Sequence, residues 1–230
     1  MDQLIDKPRV SGAEQRGDSP GRQRLLAAAA EEFSRNGYAG TSIAAIAARA
    51  SVSKSTIFHH FDCKQALYLA VIEAAAGDFA STLDQVLIAR RQARENLSDF
   101  QQVHLAHLHD NEQVALLVLR ELQGGGPGDT TGAVSEVLAG NYNRLVQYMA
   151  TARDKGEIRG DADLEVAALV MFAANAFAFQ TRQVLKDFPG LDVEQQPERF
   201  TAAVSDLIFH GLRPCELKGD SELEGERHEK

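Results

Sequence analysis

Residues 41–61, TSIAAIAARASVSKSTIFHHF, decide how the chain is read. Thr41 and Ser42 are of the types that cap helix starts, where a side-chain oxygen takes up an otherwise unpaired backbone N–H. Ile43, Ile46 and Ala47 follow at i, i+3, i+4 spacing and put one apolar stripe on a short helix. Ala50-Ser51-Val52 interrupts the pattern, with Val52 placed to fill the angle of a turn. Ser53 then caps a second helix that carries Lys54, Ser55, Thr56, Ile57, Phe58 and His59. Ile57 and Phe61 supply its buried side and leave Lys54, Ser55, Thr56, His59 and His60 facing outward. Two helices joined by a short turn, the second polar on its outer face, predict a helix-turn-helix. Such a helix fits the major groove of B-DNA.

The surrounding residues 22–72 extend the pattern: an Ala-rich first helix with Phe33, an Asn36-Gly37-Tyr38 exit, Thr41 before Ile46-Ala47, the VSKSTIFHHF segment and Lys64. This stretch resembles the N-terminal domain of the tetracycline-repressor (TetR) family of bacterial regulators. The resemblance implies an all-α protein: a three-helix DNA-binding head, then a larger helical domain for ligand binding and dimerisation. It implies DNA contacts from Thr41, Ser53, Lys54, Ser55, Thr56, Phe58, His59 and Lys64, with Lys64 on a phosphate. Two positions depart from the family pattern. Ser55 stands where Gly is common, and Phe58 stands where a Tyr hydroxyl commonly reaches a phosphate. The alternative is a buried helical hairpin without a DNA partner.

Charge is distributed as such a reading requires. The 230 residues carry a net −9, but residues 20–64 hold six basic and three acidic side chains, whereas residues 65–230 hold 15 basic and 26 acidic. A basic module on an acidic body suits contact with a phosphate backbone through one face only. Two cysteines, Cys63 and Cys215, form no disulfide framework and suit a reducing compartment. The first twenty residues lack the pattern of a signal peptide, and the apolar run at 166–179 is shorter than a membrane span needs. A cytoplasmic protein without a membrane partner is expected.

Along the chain, residues 1–20 and 214–230 read as disordered tails, 21–66 as the DNA-binding domain and 67–213 as the ligand-binding and dimerisation domain. Arg9 and Arg16 give the first tail an alternative role as a minor-groove arm. A first helix is expected from about Arg22 to Asn36, ended by Gly37. Asp62 is expected to cap a fourth helix running from Lys64 into the 90s, Ser98 a fifth and Asn111 a sixth. The Gly124–Gly128 loop lacks the Lys-Ser/Thr of a phosphate loop and reads as a flexible connection. A helix over 131–154 ends at Lys155-Gly156. The next helix, started by Asp161 or Asp163, is apolar on nearly every face, and the last, near 198–211, carries Phe200, Ala203, Val204, Leu207 and Ile208 on one stripe. Their surplus apolar surface predicts a homodimer about a twofold axis, with Ala174, Ala178 and Leu207 at its centre.

Polar and aromatic residues on the later helices mark a candidate cavity: Phe100, His104, Leu117, Met149, Phe172, Asn175 and Phe179. His104, His107 and His109 invite a metal reading, but no zinc-type Cys/His spacing accompanies them, and no metal or other cofactor is expected. Arg120-Glu121 reads as an anchor for a ligand or a structural contact, and Cys63 as a small residue rather than a redox switch. No phosphate loop, nucleophile elbow or H-E-x-x-H pair is present, so an enzyme is not expected. The predicted function is a repressor that leaves a palindromic double-stranded operator when a small molecule binds. The alternative from another class is a DNA-bound adaptor that recruits a protein partner.

Overall fold

The computed structural model describes residues 20–88, 91–124, 131–191 and 193–212. Among these residues it is all-α, with no strand. The helices are α1 (Pro20–Gly40), α2 (Ile43–Ala50), α3 (Lys54–His60), α4 (Lys64–Ile88), α5 (Ala93–Asp110), α6 (Glu112–Leu122), α7 (Thr131–Asp154), α8 (Leu164–Leu185) and α9 (Pro197–Leu212). The tails expected at the two ends lie outside the described residues, Pro20 excepted, as does most of the glycine-rich loop.

Two compact units divide after Val71, within α4, rather than at residue 66. The first turns of α4 belong to the first unit because Tyr68 packs edge-on against both Phe33 and Tyr38. Around them Leu25, Ala29, Ile46, Ile57 and Leu67 are buried. Helix α1 is broken at Gly37, whose φ of 69° lies in the left-handed region that glycine enters without cost. The carbonyls exposed by that break find donors. Thr41 Oγ1 donates to Glu32 O (2.9 Å) and Gly37 O (2.7 Å), and Lys64 Nζ donates to Tyr38 O (2.8 Å) and Thr41 O (3.0 Å).

In the second unit α5 lies against α8 and α9, and α8 also against α7. The main core gathers Phe79, Phe100, Leu145, Met149 and Met171. A smaller one holds Leu105, Phe179, Leu185 and Val193. Helix starts differ from expectation at three points. Cys63, not Asp62, precedes α4 as its cap, its Sγ accepting from Ala66 N at 3.4 Å. Ser98 lies inside α5, and Asn111 caps α6 without its side chain, which is turned back onto His107. Asp163 does cap α8, accepting from Val166 N.

Helix α8 buries Met171, Asn175, Ala178 and Phe179 on one side and leaves Val166, Val170, Phe177 and Val184 outward on the other. The expected small-residue centre is therefore displaced: Ala178 faces its own core, while the neighbouring Phe177 is 64% exposed. Helix α9 likewise buries small polar residues, Thr201 and Ser205, whose hydroxyls bond back to carbonyls one turn earlier. Its apolar stripe is split: Phe200 and Ile208 pack against the two cores, and Leu207 is 76% exposed. By length and composition α4 and α8 are apolar enough to cross a membrane, with mean hydropathy 1.3 and 1.4.

Candidate functional site

The first site is the outer face of α3. Ile57 anchors this seven-residue helix, and Ser53 Oγ caps it by accepting from Thr56 N at 3.1 Å. The same hydroxyl lies 2.7 Å from Ser55 Oγ and 2.8 Å from Thr56 Oγ1, so three hydroxyls form one cluster at the helix N-terminus. Ser53, Lys54, Ser55, Phe58 and His59 are exposed, and Thr56 is half-buried. No Asp or Glu occurs between Phe33 and Phe61. The flanking Glu31 and Glu32 are held by Arg49, at 2.6 and 2.5 Å, which also ties α2 to α1. The face is thus polar, cationic and free of nearby carboxylates of its own segment, a surface suited to phosphates and base edges.

Two residues expected on this face are elsewhere. Thr41 is buried, with its hydroxyl committed to two carbonyls, so Ser42 caps α2 instead. Lys64 is half-buried, with Nζ 4.2 Å from the centre of the Tyr38 ring and bonded to two carbonyls. Its ammonium closes the C-terminal end of α1, where a cation meets the negative end of the helix dipole.

The second site is a cavity of about 610 Å³ in the second unit, walled by α4, α5, α6, α7 and α8. Phe79, His104, His107, Tyr142, Leu169 and Phe172 stand among its lining, and among the described residues no Asp, Glu, Lys or Arg does. Of the seven residues expected to line a cavity, His104 and Phe172 do. Phe100 lies one layer behind, stacked on His104 with ring centres 5.5 Å apart. Asn175 is also behind, its amide N–H₂ bonded to Gln101 O at 2.9 Å and to His104 Nδ1 at 3.2 Å. Leu117, Met149 and Phe179 are buried in packing. Phe79, Asn141, Tyr142 and Phe177 also line it and were not anticipated there.

The three histidines do not converge. His104 and His107 flank Phe79, with ring centres 5.2 and 4.9 Å from it, while His109 packs on Phe179. Among the described residues no three His, Cys, Asp or Glu side chains are grouped as metal ligands. Burial pushes the His104 imidazolium down to about 3, helped by the neighbouring His107. His107 is lowered by burial as well, against the opposing pull of Asp78 and Asp110. Both rings are neutral at neutral pH.

Residues 25–71 match the profile described as bacterial regulatory proteins, tetR family. The chain is similar to the fatty acid metabolism regulator protein of Bacillus subtilis, 24% identical over 153 residues, which are 66% of this chain and 78% of that one. It is 29% identical over 125 residues to the transcriptional regulator RutR of Escherichia coli, covering 52% of this chain and 56% of RutR. Both are named as regulators rather than enzymes. In three dimensions it is similar to FadR of Bacillus subtilis, solved in complex with stearoyl-CoA. The TM-score is 0.71 at 21% identity, over 83% of this chain and 99% of that one.

Proposed function

The chain belongs to the tetR family of bacterial regulatory proteins and is a DNA-binding transcriptional regulator, and from that premise we propose a repressor whose effector carries a long apolar chain. The observation that carries the DNA-binding part is the outer face of α3, where Lys54, Ser55, Thr56 and His59 stand together on a helix anchored by Ile57. Ser55 and Thr56 read base edges, Lys54 and Ser53 hold phosphates, and Phe58 and His59 complete the contact. Thr41 and Lys64 close the C-terminal end of α1 in the same unit.

The cavity takes the effector. Its volume falls within the roughly 300–1,000 Å³ of small-molecule sites. The stearoyl-CoA bound by the FadR structure supports an acyl chain as the apolar part. Two copies of the chain pair through the outward faces of α8 and α9, Val166, Val170 and Val184 with Leu207, and so present two α3 helices to a palindromic operator in the bacterial cytoplasm. Helix α4 contributes residues to both units, so a shift of its later turns by an effector reaches the reading head.

The test uses an operator selected from a random-sequence DNA pool. The protein should bind it as a dimer, and stearoyl-CoA should release it. No enrichment over unrelated DNA would end the DNA-reading assignment. Enrichment without release by acyl-CoA chains of any length would end the effector assignment alone.

A further inference from the structure

The cavity lining is mostly apolar, and at its α5 wall two asparagines prepare two histidines in the same way. Asn175 Nδ2 donates one hydrogen to Gln101 O. A carbonyl only accepts, so this bond fixes which end of the amide faces His104, and the second hydrogen meets His104 Nδ1 at 3.2 Å. Nδ1 is then the acceptor nitrogen, and the ring proton stands on Nε2. Asn111 repeats the arrangement, with Nδ2 3.1 Å from both His107 O and His107 Nδ1. The His107 ring proton is on Nε2 as well. Both rings line the cavity, and each packs against Phe79. Tyr142 and Asn141 have donors committed elsewhere, Tyr142 Oη–H to Glu165 O and Asn141 Nδ2 to Ala76 O, while Ser135 and Gln180 are exposed side chains of the lining.

The geometry points to a carbonyl-binding station: the Nε2–H groups of His104 and His107 each offer a donor to a neutral carbonyl oxygen of the effector, selecting a thioester, ester or amide over a free carboxylate. The described lining supplies neutral donors and no cation, so an ionised carboxylate at the two rings would have no opposite charge to compensate it. Asp78 and Asp110, whose charges reach His107, disfavour an anion further. A buried N–H that meets no acceptor loses its solvation, so a ligand lacking the carbonyl is rejected as well. Asn175 and Asn111 act here as positioning residues, since they set the tautomer without touching the ligand.

This inference rests on the apolar effector proposed above, and the probes separate the two. Calorimetry on the full chain would compare palmitoyl-CoA, its thioether analogue S-hexadecyl-CoA and palmitate. The wild type should bind the thioester about tenfold more tightly than the thioether, the worth of roughly one to two neutral hydrogen bonds. His107→Phe and His104→Phe should each bring that ratio towards one while leaving thioether affinity within about twofold. His107 is the half-buried member, so its variant stays informative where the His104 variant misfolds. Equal binding of thioester and thioether by the wild type, equal loss of both in the His107 variant, or palmitate binding as tight as the thioester would overturn the station while leaving an apolar effector in place. Binding of none of the three would remove both readings.

Discussion

His104 shows what burial does to a group that is charged or neutral by a small margin. Its imidazolium is disfavoured, so the folded protein holds it neutral down to about pH 3, against 6.5 for an ordinary histidine. Between those values the unfolded chain takes up a proton that the folded one refuses. Stability is therefore complete above about pH 6.5 and falls as the pH drops towards 3. The urea midpoint should fall further between pH 7.5 and pH 5 in the wild type than in His104→Phe; parallel falls would contradict the assignment. Lys64 carries a second prediction at this scale. Lys64→Met removes an ammonium from two carbonyls, so it should cost stability on the order of 1–2 kcal/mol and leave the salt dependence of DNA binding unchanged. A lowered salt slope at full stability would restore its role as a phosphate contact. Such roles are hard to read in advance. A lysine at a helix start serves equally well as a phosphate ligand or a helix cap, and what decides is the carbonyl of Tyr38, 26 residues away.

Single helices were far more legible than their contacts. The segments 43–50 and 54–60 follow from cap residues and a 3.6-residue period, both local, and the Ser53 cap stands where those residues place it. Ser53→Ala should destabilise the first unit by about 1 kcal/mol, and Thr56→Ala should reduce preference for the selected operator more than binding to random DNA, both measured by melting and by fluorescence anisotropy. Equal loss on both DNAs would place Thr56 on phosphate. The orientation of α8 was not legible, because a helix apolar on nearly every side gives periodicity no polar face to work from. Only packing distinguishes Ala178 inside from Phe177 outside. The same ambiguity placed Met149 and Phe179 in the candidate cavity, where a buried aromatic or methionine serves core and ligand alike. Val170→Glu and Leu207→Glu put a carboxylate on the outward faces of α8 and α9 and touch no cavity wall. Each should raise the dimer dissociation constant at least tenfold in sedimentation, with acyl-CoA binding retained; unchanged dimers would move the interface elsewhere.

At the scale of the molecule, function depends on one equilibrium seen from two ends. On the palindromic operator proposed above, two half-sites at fixed spacing reward only those states in which both α3 helices sit at the matching separation. An effector that favours other states lowers operator affinity, and a preference of about ten-thousand-fold moves the balance from 1:99 to 99:1. Linkage makes the effect reciprocal: whatever factor the effector takes from operator affinity, the operator must take from effector affinity. The direct measurement is the dissociation constant of palmitoyl-CoA for the full chain, by calorimetry, with and without saturating selected operator. The account predicts that operator weakens palmitoyl-CoA by the same factor, within error, by which palmitoyl-CoA weakens operator. An acyl-CoA that binds with one affinity in both conditions would contradict it.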